Sequence, residues 1–282
     1  MNYLDIILST ITYLASAFIL FYIGKLVYQL FNRKIEVKKE LVENDNFAFA
    51  IAHTGYFIGL LLAIGSAVVG PSEGLVTDLI DIFIYGLLAI ILLNVSIFIN
   101  DMLILRGFST FKEIIVDKNE GTGVVEAAIS IATGLIIFGA VSGEGGSIFT
   151  ALAFWAIGMV VMIITSRVYN AITPYNVHEH IEKDNVAVGI GFAGAIVALG
   201  NLIRFALMED FVSWEQSFMN LGIEVVIGLI LLPLVRFLTD KILLPGQKLS
   251  DELVNQSKPN MGAGLIEAFA YIGGSVLITW CL

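Results

Sequence analysis

Asn185-Val-Ala187-Val-Gly189 opens a predominantly apolar run that continues to Met208, and small residues stand at the second and fourth positions after the asparagine. The same opening occurs in Asn46-Phe-Ala48-Phe-Ala50, Asn119-Glu-Gly121-Thr-Gly123 and Asn260-Met-Gly262-Ala-Gly264, each ahead of another such run. The asparagines lie 73, 66 and 75 residues apart. The chain therefore reads as four copies of a two-helix unit, with a period longer than that of ordinary solenoids. The repeat also aligns positions within one sequence. Three residues beyond the second small residue of each copy stand His53, Glu126, Phe192 and Glu267, so an ionisable group recurs at one height in three of four helices.

The composition sets the class. With 57% hydrophobic and 14% charged residues and a mean hydropathy of +0.89, the chain lies outside the range of soluble domains and is read as an integral membrane protein. Its partner is the lipid bilayer. A net charge of −10 argues against nucleic acid, which demands a dense basic surface. The single cysteine, Cys281, supplies neither an internal disulfide nor a metal cluster. No cofactor and no metal are expected.

A crossing requires about 20 apolar residues, and the chain offers eight such runs, near 5–30, 47–70, 76–104, 121–142, 147–170, 186–208, 216–238 and 261–281. Met1-Asn-Tyr-Leu-Asp5 lacks the positive stretch of a cleavable leader, so the first helix is expected to remain. Of 15 basic residues, only Arg204 lies on the side of the short loops. By the positive-inside rule the longer linkers are then cytoplasmic and both termini periplasmic.

Copies one and three share Asp-Asn at 45–46 and 184–185, whereas copies two and four share Gly-x-Gly and the glutamate. That alternation predicts an all-α polytopic protein built from two four-helix repeats, 1–142 and 143–282. Each repeat crosses an even number of times, so the halves are expected to be parallel and related by a pseudo-two-fold along the membrane normal.

The segments Glu40-Leu-Val-Glu-Asn-Asp-Asn46-Phe-Ala-Phe-Ala50 and Glu179-His-Ile-Glu-Lys-Asp-Asn185-Val-Ala-Val-Gly189, each opening a Gly-rich helix, resemble the YjfL-type family of bacterial inner-membrane proteins. The usual member resembles one half of this chain, so nearly all of it is covered as a tandem pair. The resemblance implies a bacterial inner-membrane location and a four-helix unit. It carries no mechanism, because the family is a domain of unknown function.

Two readings of Glu126 and Glu267 stand side by side. A carboxyl group about 10 Å into a membrane helix is costly unless protonated, paired or wetted, and such groups usually face the bundle interior. They are either a pair of proton or cation sites on a path between the halves, or packing hydrogen bonds near the boundary. His53 adds a titratable group at the same height, and Phe192 breaks the set. Glu224 is deeper and unrepeated, a candidate for lining a wet cavity, with Arg204 as a candidate partner.

A second aligned set lies twelve residues before Glu40, Glu113, Glu179 and Glu252, namely Tyr28, Asp101, Arg167 and Asp240. Asp101, Arg167 and Asp240 form a charge cluster gating the cytoplasmic mouth, or are solvated anchors. Small residues four apart, as at Gly55 and Gly59 or Ala128 and Ala132, are read as ridges for close helix packing. Gly189-Ile-Gly191-Phe-Ala-Gly194 matches a dinucleotide fingerprint in letters only, since it lies inside a membrane span rather than after a strand. His178-Glu-His180 lacks the spacing that puts two imidazoles on one helix face.

No catalytic residues are expected. The leading expectation is a small-cation or proton-coupled transporter or channel using Glu126, Glu267 and Glu224. The alternative is a non-transporting scaffold whose cytoplasmic linkers bind partner proteins in an envelope-stress system. Self-association into a homo-oligomer stays open.

Overall fold

The computed structural model describes residues 3–70, 72–105, 107–143, 145–244 and 246–282, with the side chains at 4, 231–233 and 240 outside that description. Eight helices are long and apolar enough to cross a membrane: α1 (Tyr3–Phe31), α2 (Phe47–Val68), α3 (Leu75–Leu103), α4 (Glu120–Ser142), α5 (Ile148–Ile172), α6 (Val186–Leu207), α7 (Trp214–Leu238) and α8 (Met261–Cys281). They coincide with the eight expected runs to within a few residues. Among the described residues there is no strand.

The repeated asparagines explain where the even-numbered helices begin. Asn46, Asn119, Asn185 and Asn260 are N-caps, each accepting through Oδ1 from the backbone N–H three residues on, at 3.0, 2.8, 3.1 and 3.2 Å. This satisfies one of the four donors that a helix start leaves open. Ahead of three caps the chain turns through a left-handed residue, Asp45, Lys118 or Asp184, with φ between 44 and 56°. An upstream carboxylate holds the cap amide: Glu40 accepts from Asn46, Glu113 from Asn119 and Glu252 from Asn260, each at 2.9 Å. Glu179 departs from this pattern and pairs with Lys183.

The four capped helices form an inner row in the order α2, α4, α6, α8, flanked by the odd-numbered helices. Burial peaks in the middle of the row: 72% of the apolar window of α4 and 78% of that of α6 are buried, against 56% in α2 and 28% in α8 at its ends and 11% in α1 and 20% in α7. Close approach in the row depends on the small residues. A Cβ added at Gly123, Gly189 or Gly264 would strike the backbone at Ala48, Gly121 or Ala187 respectively. In each junction the fourth residue after one asparagine rests on the second residue after the preceding one. One contact thus recurs three times, including at the α4–α6 junction between the halves. Gly55 meets Ala127 and Gly194 meets Ala268 in the same fashion, and Gly200 meets Ala132. Packing of this kind lets dispersion forces and backbone proximity replace the hydrophobic effect, which lipid does not supply.

The row stops because its two free edges are bulky. Phe269 occupies on α8 the position of Gly55 and Gly194, and Leu61 occupies on α2 that of Gly134 and Gly200. They are 64% and 58% exposed, and they bar a fifth helix from the same close contact. Terminal repeats of an array are generally atypical in this way.

The flanking helices add polar clamps. Tyr56 of α2 donates to the Gly24 carbonyl of α1 at 3.1 Å and accepts from Asn94 of α3 at 3.2 Å. Trp155 of α5 donates to Ser96 of α3 at 2.8 Å, joining the two halves.

Candidate functional site

Both repeated glutamates face protein rather than lipid: Glu126 is 9% exposed and Glu267 fully buried. Their surroundings differ.

Glu126 sits about two turns into α4, at the wall of a cavity of about 110 Å³ bounded by α1 to α4. Asp101, from the last turn of α3, lines the same cavity. The carboxyl groups of Asp101 and Glu126 lie next to each other at this wall, with Thr110 nearby. Asp101 Oδ1 and Glu126 Oε2 are buried with no hydrogen-bond partner. No basic side chain is among the described residues lining the cavity. Two carboxyl groups facing each other away from water need a shared proton or a cation between them, since like charges at this range repel strongly in a low dielectric. Tyr28, Phe49 and Tyr56 supply aromatic walls, and Ile35, Phe111 and Ile114 from the long linkers line its other end.

Glu267 has its charge answered within the protein. Arg236, in the last turn of α7, donates from Nη1 to Glu267 Oε1 at 2.8 Å, and Tyr169 of α5 donates to the same oxygen at 3.3 Å. The second guanidinium nitrogen donates to Ser250 at 3.1 Å, and the guanidinium carbon lies 5.7 Å from the Tyr175 ring centre. Gly191 of α6 makes the room: a Cβ there would collide with the Glu267 carboxylate. Burying both charges is tolerable because they are paired and Ser250 and Tyr169 add further hydrogen bonds.

In the first two units the two aligned sets meet pairwise inside the unit. Tyr28 packs against His53 at 4.8 Å between ring centres, and Asp101 meets Glu126. His53 is buried among Tyr28, Phe49 and Phe57, beside the Glu126 cavity rather than in its lining. Phe192 fills its place against Tyr169, with ring centres 5.2 Å apart.

The expected Asp101–Arg167–Asp240 cluster does not form between its first two members: Asp101 turns to Glu126, while Arg167 is exposed on the outer face of α5. The side chain of Asp240 lies outside the described residues. A helix end offers several faces, and linear register alone does not choose which one turns inward.

Glu224 is separate from both sites. It borders a space of only about 10 Å³ beside Thr165, Leu199 and Leu202, too small for more than one water. Arg204 does not pair with it; its guanidinium donates to Asn201 and to Met208. Among the described residues no cluster of three metal-ligating side chains occurs.

Sequence reasoning missed two functional features. Arg236 stood among the linker cations, and its only signal was its place inside an otherwise apolar helix, one turn before Asp240. Glu40 and Glu113 were used as markers of register, whereas both are buried and hold the cap asparagines.

Comparison with known proteins agrees with this tandem architecture. The chain is 21% identical over 252 residues to a "UPF0719 transmembrane protein" of Aquifex aeolicus, covering 88% of this chain and 90% of that one. It is 26% identical over 141 residues to the "UPF0719 inner membrane protein YjfL" of Escherichia coli K12, covering 48% of this chain and 95% of the relative. No solved structure matches the chain significantly. The model of the Domain of Unknown Function (DUF350) family matches twice, over residues 2–141 and 145–282, and the chain is a multi-pass membrane protein belonging to that family, with its domain in tandem.

Proposed function

We propose that the protein is a bacterial inner-membrane transporter for a small cation, coupled to protons or exchanging with them at the Glu126–Asp101 cavity. One observation carries the reading: two carboxyl groups face each other in a cavity with no basic side chain in its described lining. Such a site is complete only with a proton or a cation in it. The basic residues of the long linkers support a cytoplasmic position for this end of the bundle, and on that reading it is an inner-side binding site. Glu267 then serves as an internally neutralised relative of Glu126, and Glu224 lies off the path.

Purified protein in liposomes should pass a cation or proton flux that Glu126→Gln or Asp101→Asn abolishes. Equal flux in both variants would remove these residues from the mechanism.

The scaffold alternative draws on the tightly packed inner row and the largely exposed long linkers. On that reading, partners crosslink to residues 31–45, 105–120, 171–184 and 239–259. Absent flux together with crosslinked partners would replace transport by this role.

A further inference from the structure

The Glu126 cavity and the Glu267 pocket are the same place in two copies of the unit pair. Each glutamate stands seven residues after its cap asparagine. The residue six after the preceding asparagine borders each place: Ala52 lines the Glu126 cavity, and Gly191 faces the Glu267 carboxylate. Aligning α3 with α7 through Glu113 and Glu252 puts Arg236 at the position of Ile97, and Ile97 lines the Glu126 cavity.

In the second half that place is filled by the guanidinium of Arg236, bonded to Glu267 and Ser250 and set near the Tyr175 ring. In the first half an isoleucine stands there instead. A space of about 110 Å³ results, with the aromatic side chains of Tyr28, Phe49 and Tyr56 on its walls. Glu126, 9% exposed, contributes a carboxyl oxygen that has no partner.

We propose that the first-half cavity is a binding site for a small planar organic cation of the guanidinium class, and that Arg236 is its covalently tethered counterpart in the second half. The proposal rests on reading the cavity as a cation site. Its geometry suits this ligand for three reasons. A guanidinium matches carboxylates as a planar fork of donors. Its faces are weakly hydrated and stack on aromatic rings. Its single charge compensates a carboxyl pair that retains one proton. A proton alone requires no cavity.

The test is calorimetric titration of the full-length protein in detergent with guanidinium chloride in the millimolar range, at constant ionic strength, with sodium, potassium and methylammonium as comparators. Wild type should show one saturable guanidinium site. Glu126→Gln and Asp101→Asn should each weaken it by about tenfold or more, the equilibrium equivalent of one charge-assisted hydrogen bond. Arg236→Ala should lower Tm and display a second site, and millimolar guanidinium, unlike sodium, should restore that Tm.

Three results would overturn the proposal: no saturable binding by wild type, undiminished binding in both carboxyl variants, or sodium competing on equal terms. If Glu126→Gln does not fold, Asp101→Asn and the rescue of Arg236→Ala decide the matter. Guanidinium binding without flux in liposomes would end the transport reading and leave this one. Glu126-dependent proton or alkali flux without guanidinium binding would do the reverse.

Discussion

Asn119 caps α4 and at the same time donates from Nδ2 to the Ile181 carbonyl at 2.8 Å, so one side chain starts a helix and ties its unit to the next. Asn46 does the same to Ile114 and Asn185 to Leu253, both at 2.9 Å. Asn260, at the end of the row, is an exposed cap. Replacing Asn119 by Ala removes the cap, the inter-unit bond and the donor to buried Glu113. We expect a cost of about 2–3 kcal/mol. Asn260→Ala should cost about 1 kcal/mol or less. Thermal unfolding in detergent gives both values, and an equal loss for the two would contradict the double role.

Glycine contacts of the inner row give a second contrast. A Cβ at Gly200 would approach Ala132 Cα to 2.7 Å, whereas one at Gly222, on the outer face of α7, meets nothing within 4 Å. Gly200→Val should destabilise by about 1–3 kcal/mol through overpacking. Gly222→Ala should be neutral or stabilise by up to about 1 kcal/mol through helix propensity. Denaturant titration of both variants checks the ordering.

The Arg236–Glu267 pair should behave as a unit. Arg236→Met leaves a carboxylate stranded inside the second half, and removing one partner of a buried pair costs about 3–5 kcal/mol. Arg236→Met combined with Glu267→Leu should recover most of that loss, because neither charge is then buried alone. Additive losses in the double-mutant cycle would mean that the contact contributes no coupling.

On the linker surface, Lys183 Nζ lies 2.6 Å from Glu179 Oε1 and holds that carboxyl group below its ordinary range. A lowered folded value means that the pair's stabilisation is present above the usual glutamate range and is lost as pH falls through the folded value. In Lys183→Ala, Glu179 should titrate in the ordinary range, read by carboxyl-carbon NMR. High salt should bring the wild-type value towards it, since both groups are exposed and screened. An unchanged titration in the variant would assign the shift to another neighbour.

Legibility in the sequence followed the range of the forces involved. The spans were readable because crossing a bilayer imposes a length of apolar chain and a satisfied backbone, both written locally. The four-fold repeat was readable because Asn46, Asn119, Asn185 and Asn260 perform one local task, and the small residues near them showed where helices approach. Inward placement of Glu126 and Glu267 followed from the cost of a carboxyl group against lipid. The chemistry around them did not, because it depends on what neighbouring helices present. Arg167, aligned with Asp101, turns outward, while Arg236, one turn away from the aligned position, reaches Glu267.

By itself the sequence determined eight membrane helices and the repeat that puts two carboxyl groups at one depth. Only the tertiary structure decided that one of them meets Asp101 across a cavity and the other a tethered guanidinium. Local chain chemistry sets where a helix starts and how far it runs. A charge-compensating partner is chosen by side-chain reach between helices, where a single turn of about 5.4 Å changes which groups touch.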